Sequence, residues 1–342
     1  MSNTATCPDP TPIVAGLKDF QRHTVEYVFR RLYLDTDATD RFLVADEVGL
    51  GKTLVARGLI AKAIEHLWDK VDRIDIVYIC SNAEIARQNI ARLNITGAED
   101  FSLASRITLL PLQLHNLLNN RINFVSFTPG TSFDLKSNLG TAEERVLLYW
   151  LLDKAWQIRG RTGPLNVLQG GSGTERFREK VKGFRYYRTI DPSLAEVFCQ
   201  RLNQQVKIDQ QAGHPDLHTR FQALCDCFSR ARRYENIPDE QRKARSQLIG
   251  ELRELLAQSC ISALEPDLII LDEFQRFKHL LEPGSEVSQL AHDLFSYSDA
   301  QSSTKVVLLS ATPYKMYTLS HEAAADNHYE DFLRTIAILN HL

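Results

Sequence analysis

Two hydrophobic rhythms alternate along the chain. Short, nearly continuous apolar runs recur at Phe42–Ala45, Ile74–Cys80, Ile107–Leu110, Ile122–Phe127, Leu268–Leu271 and Lys305–Ser310. Runs of this length predict strands buried on both faces, since a strand covered on one face only would alternate apolar with polar residues. A helix-length segment, Leu54–Trp68, separates the first two runs. After the second comes Ala83–Leu93, whose Ile85, Ile90 and Leu93 fit a helical stripe. Strand and helix in alternation predict an α/β fold, a parallel sheet covered by helices.

From residue 134 to 264 the period becomes helical. Thr141 and Glu144, three apart, have the spacing of a capping box and open an apolar helix through Trp150-Leu151-Leu152. Leu194, Val197, Phe198, Leu202 and Val206 repeat at helical spacing, as do Leu217, Phe221, Leu224 and Phe228, and then Leu248, Leu252 and Leu255. The glycine-rich segment Gly160–Thr174 predicts a flexible connector. The expected organisation is a disordered polar tail over 1–12, a sheet domain over 13–133 and 265–342, and a mainly helical insertion over 134–264.

Composition adds little to this picture, and charge adds a qualification. Of 342 residues 44% are hydrophobic and 24% charged, with a net charge of −3, as in an ordinary water-exposed globular chain. No stretch approaches the roughly 18 apolar residues that span a bilayer, so no membrane is expected. The first residues lack the apolar core of a signal peptide. Six scattered cysteines, of which only Cys225 and Cys227 are close, suit reduced thiols and a cytoplasmic location. Residues 136–254 hold 21 Lys and Arg against 15 Asp and Glu, a basic middle in a more acidic chain that points mildly to a polyanionic partner.

The chemistry concentrates in Asp46-Glu47-Val48-Gly49-Leu50-Gly51-Lys52-Thr53, which follows the first strand and opens a helix. Backbone N–H groups of such a loop wrap a polyphosphate. Lys52 supplies positive charge to the outer phosphates, and the Thr53 hydroxyl is a ligand for Mg²⁺. The usual phosphate-loop pattern has glycine where this chain has Asp46. Asp272 and Glu273 follow the strand at Leu268–Leu271, where a carboxylate emerges at the carboxyl edge of a parallel sheet. Asp272 suits Mg²⁺, a cation that wants oxygen ligands, and Glu273 suits a general base acting on water. Ser310-Ala311-Thr312 ends the last strand.

Asp46–Thr53, Asp272-Glu273-Phe274-Gln275 and Ser310-Ala311-Thr312 together resemble motifs I, II and III of superfamily 2 helicases and translocases. The first is similar to the Swi/Snf-type version, in which aspartate replaces the first glycine. Motif II is DEAD/DEAH-like in its Asp272-Glu273, but Phe274-Gln275 is neither Ala-Asp nor Ala-His, so the resemblance assigns no named box. The Swi/Snf-type group, with bacterial restriction or phage-defence helicase-like proteins, is the neighbourhood it resembles most. The resemblance covers about 1–133 and 265–342, one RecA-like P-loop NTPase lobe. It implies ATP held by Val48, Gly49, Leu50, Gly51, Lys52 and Thr53, with Gln21 reading adenine. It also implies Mg²⁺ on Thr53 and Asp272, hydrolysis through Lys52, Asp272, Glu273 and Gln275, and coupling through Ser310 and Thr312. Nucleic acid, with duplex DNA favoured, would cross near Ser81, Asn82, Arg87, Thr128, Gly130 and Thr131. A second RecA-like lobe normally completes the ATP cleft. Thirty residues follow Thr312, so the expectation is hydrolysis that needs such a lobe in cis or in trans.

Two rivals stand beside this reading: a nucleotide-sensing module that binds ATP and recruits a partner without turnover, and a phosphate-loop ATPase unrelated to nucleic acid. Residues 175–188 form a basic helix candidate, with Arg176, Arg178, Lys180, Lys182, Arg185 and Arg188 interleaved with Phe177, Phe184, Tyr186 and Tyr187. Its simplest reading is a solvated face with the aromatics in the core. Its other reading is a surface for phosphates and bases. His214 and His218, with Pro215 between them, fit a surface loop better than a zinc site.

Overall fold

The computed structural model describes residues 6–46, 49–95, 102–103, 106–112, 117, 119–132, 138–187, 189–230, 237–274, 276, 286–298 and 303–310. Two compact units emerge. One comprises residues 1–105, 116–133 and 264–342, the other residues 106–115 and 134–263.

The first unit is built on a six-stranded sheet of β1 (Arg41–Ala45), β2 (Ile74–Cys80), β3 (Ser102–Leu103), β4 (Ile122–Phe127), β5 (Leu268–Asp272) and β6 (Lys305–Ser310). The spatial order is β1-β6-β5-β2-β4-β3, and every pairing is parallel. β2 and β5 are buried at every position, which is why their sequences are apolar without alternation. Helices α1 (Thr11–Ala15), α2 (Asp19–Tyr33), α3 (Lys52–Leu67) and α4 (Ala83–Leu93) belong to this unit. One sheet face, with Ile76, Tyr78, Ile270 and Val307, packs with Val28 and Leu32 of α2, Leu59, Ile60 and Ile64 of α3 and Ile90 of α4. α1 begins inside the stretch expected as a tail.

A polar clamp fixes register at the amino edge of the sheet. The Asp75 N–H donates to Asp267 Oδ2 at 2.8 Å, while Asp75 accepts from Asn123 Nδ2 at 2.7 Å and Arg73 Nε at 2.8 Å. These bonds tie the starts of β2, β4 and β5. Where both faces are apolar the hydrophobic pattern does not select a register, and a slip of one residue would break these polar bonds.

Two sequence expectations are corrected. Ile107–Leu110 is not a strand but lies in a 3₁₀ helix, Ile107–Leu112. Pro111 follows directly, and a proline has no N–H for a central ladder. The sheet edge is filled instead by the two-residue β3, too short to leave a hydrophobic run. Gly160–Thr174 is not simply a connector either. It contains a helix, Thr162–Leu168, whose Val167 and Leu168 are buried. A Cβ at Gly163 would lie 2.7 Å from the Cys225 carbonyl oxygen, so the absent side chain permits close approach.

After the short α5 (Pro129–Ser132) of the sheet unit, the second unit carries α6 (Ala142–Trp156), α7 (Thr162–Leu168), α8 (Thr174–Tyr187), α9 (Pro192–Gln211) and α10 (Leu217–Arg230). α11 (Asp239–Leu264) closes it. The expected capping box is present: Glu144 N–H donates to Thr141 Oγ1 at 3.2 Å, and Thr141 N–H to Glu144 Oε2 at 2.6 Å. Glu144 is fully buried and also accepts from Arg253 Nη2 at 2.9 Å and Thr108 Oγ1 at 2.6 Å. Each buried charge here has a partner, as burial demands. His214 lies outside α10 and His218 within it, its ring 4.9 Å from that of Trp156. Among the described residues no group of three His, Cys, Asp or Glu is arranged to hold a metal. α12 (Glu286–Phe295) belongs to the sheet unit.

Candidate nucleotide site

A parallel sheet sends all its carboxyl ends to one edge, and the pairings align those ends. Ala45 is opposite Ser310, Leu309 opposite Asp272, and Asp272 opposite Cys80. The loop after β1, the end of β6, the Asp272-Glu273 pair and the turn at Ser81-Asn82 therefore share one edge. The order β1-β6-β5 leaves one strand between the glycine loop and Asp272. Neighbouring strands lie about 4.8 Å apart, so the two strand ends are separated by roughly 10 Å. The chain that leaves β1 re-enters the sheet as β2, beyond β6 and β5. Crevices beside such reversals are where α/β sheets take ligands.

The loop has the backbone its glycines permit. Gly49 has φ +88° and Gly51 φ +82°, in the left-handed region that costs a residue with a Cβ about 1–2 kcal/mol. α3 starts at Lys52, so the amides of Lys52 and Thr53 lie in its first turn, where no preceding turn supplies acceptors. The Asp46 N–H donates to the Ser310 carbonyl at 3.2 Å, anchoring the loop to β6. Lys52 Nζ donates to the Asp46 carbonyl at 3.0 Å, arching over the loop. Glu47 and Val48 lie outside the described residues.

Gln21 is buried beneath this loop. Its Nε2 donates to the Leu50 carbonyl at 2.8 Å, and its Oε1 accepts from the Lys18 N–H at 3.1 Å. A Cβ on Gly51 would fall 2.6 Å from Gln21 Nε2. Glycine at 51 is thus favoured by its φ, and a Cβ there would push the Gln21 amide away from the Leu50 carbonyl.

Asp272 is held by residues that sequence reasoning missed. Tyr78 Oη donates to Asp272 Oδ2 at 2.5 Å, and Asn89 Nδ2 reaches Tyr78 Oη at 2.8 Å and Asp272 Oδ2 at 3.4 Å. Burial pushes the Asp272 carboxyl above its ordinary value; Tyr78 pulls it down, adjacent Glu273 raises it, and Lys52 lowers it. The available signals were a tyrosine in an otherwise aliphatic part of β2 and an asparagine on the buried face of α4.

Glu273 has φ +53°, a left-handed conformation for a side-chain-bearing residue. Its carboxylate pairs with Arg276 Nε at 2.9 Å. Ser310 is wholly buried, and its hydroxyl has no hydrogen-bond partner among the described residues. Gln275 and Thr312 lie outside the described residues.

The residues expected along nucleic acid fall at the same sheet edge. Asn82 Oδ1 caps α4, accepting from the Glu84 N–H at 2.8 Å and the Ile85 N–H at 3.4 Å. Arg87 is exposed on that helix, and the Ser81 hydroxyl is shielded. The Thr128 N–H donates to Ser132 Oγ at 3.0 Å, Gly130 is exposed, and Thr131 contributes its backbone to α5.

Comparison with protein-family profiles, curated proteins and solved structures yields no match. The functional reading therefore rests on the chemistry of the site. Among the described residues no helix is long and apolar enough to cross a membrane.

Proposed function

We propose that the sheet unit is the ATP-binding lobe of a nucleic-acid-dependent ATPase, with a RecA-like arrangement of a helicase or duplex-DNA translocase. One observation carries the reading. The left-handed glycine loop ending in Lys52-Thr53 and the carboxylates Asp272-Glu273 share one edge of a parallel sheet, a single strand apart.

Each residue then has a task. Backbone amides at Gly49–Thr53 bind the phosphates, with Lys52 neutralising charge on the outermost of them. Gln21 braces the loop and couples it to α2, on the side where the resemblance puts adenine. Thr53 and Asp272 offer a hydroxyl and a carboxylate. Hard oxygen donors of this kind suit Mg²⁺, which usually takes one or two protein ligands beside phosphate oxygens. When bound, the ion would neutralise phosphate charge. Glu273 orients and deprotonates water, and Ser310, whose carbonyl accepts from the Asp46 N–H, couples the loop to β6. A second lobe would complete the cleft with cationic groups, a contribution of about 10³–10⁵ in rate for an arginine finger.

The Glu273–Arg276 ion pair favours a second reading. A base held by a guanidinium is not poised for water, as expected of a module that senses ATP without turning it over. The test is ATP turnover with duplex DNA, single-stranded DNA or RNA, in wild-type, Lys52→Ala and Glu273→Gln protein supplied with a second lobe. Stimulation by a nucleic acid that both substitutions abolish supports the motor. Tight ATP binding with no turnover under any nucleic acid supports the sensor and contradicts the motor.

A further inference from the structure

The helical unit contains a cleft of about 620 Å³ between α6, α7 and α8. That volume admits a group of about nucleotide size rather than a protein surface. Its wall includes Trp150, Arg159, Arg178, Lys182, Arg185 and Tyr186, and among the described residues it carries four cations and no carboxylate.

These cations are not equivalent. Arg159 is paired with Asp153 at 2.5 Å. Among the described residues Arg178 has one ion contact, a loose 3.8 Å to the exposed Glu175, and its Nε is shielded with no hydrogen-bond partner. Arg185 has its guanidinium 5.0 Å from the centroid of the Trp150 ring, which Arg159 also approaches, at 5.3 Å. A ring orders a guanidinium without cancelling its charge, so Arg185 remains available to an anion. Trp150 is itself fixed, its Nε1 donating to the Val181 carbonyl at 3.2 Å and its ring lying against Phe184 at 6.5 Å. At the rim stands Tyr186, 84% exposed. A large aromatic left almost entirely in water, beside ordered cations, has no packing role to explain it.

We propose that this cleft binds a single-stranded nucleic acid, with a base on the Tyr186 ring and adjacent phosphates on Lys182, Arg185 and Arg178. The expectation that the aromatics of this helix lie in the core holds for Phe177 and fails for Tyr186. Phe177 and Val181 are buried in the core, and the cationic face is the working surface. A base in a duplex is already stacked on both sides and cannot enter, whereas an unpaired base can, at little cost in sequence preference. The choice of occupant rests on the nucleic-acid reading of the sheet unit; the cleft's chemistry does not.

The test is anisotropy of a labelled dT12 strand titrated with the full chain, without ATP, over a series of salt concentrations. Wild type is compared with Tyr186→Ala, Lys182→Gln/Arg185→Gln and Lys182→Arg, and Mg·ATP binding is measured on each. Tyr186→Ala should weaken dT12 at least about fivefold. The double variant should flatten the log–log salt dependence by about 1.4, two phosphates at about 0.7 each, while Lys182→Arg keeps the wild-type slope. All variants should bind Mg·ATP as wild type does. Wild-type dT12 affinity and salt slope in the variants would overturn the proposal, as would equal competition by thymidine monophosphate or by poly-glutamate. Wild-type dT12 binding that Tyr186→Ala weakens, in a chain that never binds Mg·ATP, would instead overturn the reading of the sheet unit and leave the cleft standing. No dT12 binding by wild type would overturn the cleft.

Discussion

Tyr78 donates a hydrogen bond from its hydroxyl to Asp272 across the face of the sheet, from β2 to β5, at 2.5 Å. Tyr78 stands opposite Ile270, one pleat before Asp272, so the two side chains share a face. The contact joins a residue with no visible chemistry to one with a proposed role at Mg²⁺. The hydrogen bond lowers the carboxyl against the burial that raises it.

Tyr78→Phe removes that opposition, so the carboxyl should rise further and hold its proton to higher pH. Mg²⁺ needs the carboxylate, so Mg²⁺-dependent nucleotide binding should fail as pH falls, with a higher midpoint in the variant than in wild type. Titrating Mg²⁺ against a fluorescent ATP analogue between pH 5.5 and 8 checks this. A hydrogen bond to a charged group contributes about 1.5–3 kcal/mol, so a fall in melting temperature should accompany it.

Gly51→Ala and Gly49→Ala separate two costs. Both force a Cβ into the left-handed region, at about 1–2 kcal/mol. Only the first also meets Gln21 Nε2, at 2.6 Å; nothing among the described residues lies within 4 Å of a Cβ on Gly49. Denaturant titration should find Gly51→Ala the more damaging of the two. A cycle with Gln21→Ala should show coupling at 51 and none at 49.

Glu273→Gly should stabilise the protein by up to about 1 kcal/mol while removing the proposed base, because φ +53° costs glycine nothing. The exposed pair with Arg276 that is lost contributes little. A lower melting temperature for Glu273→Gly would mean that the turn is held by the glutamate rather than strained by it.

The Asp75 carboxyl is pushed up to about 7 by burial and by Asp267, against the pull of Arg73 and Asn123. Its unfolded value is about 3.9. Between these pH values the folded chain holds more protons than the unfolded one, so stability should fall as pH rises from about 4 to about 7 and then level off. Asp75→Asn should flatten that slope in urea titrations from pH 4.5 to 8.

Much of the sheet unit was legible in the sequence because strands buried on both faces leave continuous apolar runs. Ile74–Cys80 and Ile122–Phe127 carry the bounds read from those runs. Ile107–Leu110 misled because a short apolar run does not distinguish a strand from a packed 3₁₀ turn. The decisive residue was Pro111. The loop chemistry was legible from Gly49, Gly51 and Lys52, since backbone freedom and charge are properties of residue type. Tyr78 and Asn89 were not, because their roles come from parallel register between strands nearly 200 positions apart. Gln21 could be singled out by its place before β1, but its grip on the Leu50 carbonyl is a tertiary fact.

Calorimetric titration of Mg·ATP into the full chain and into Lys52→Ala tests the central claim most directly. A single site in wild type should be weakened at least about tenfold in the variant, the lower bound for a hydrogen bond to a charged group. No binding by wild type, or equal affinity in Lys52→Ala, would contradict the assignment of the glycine loop to phosphate.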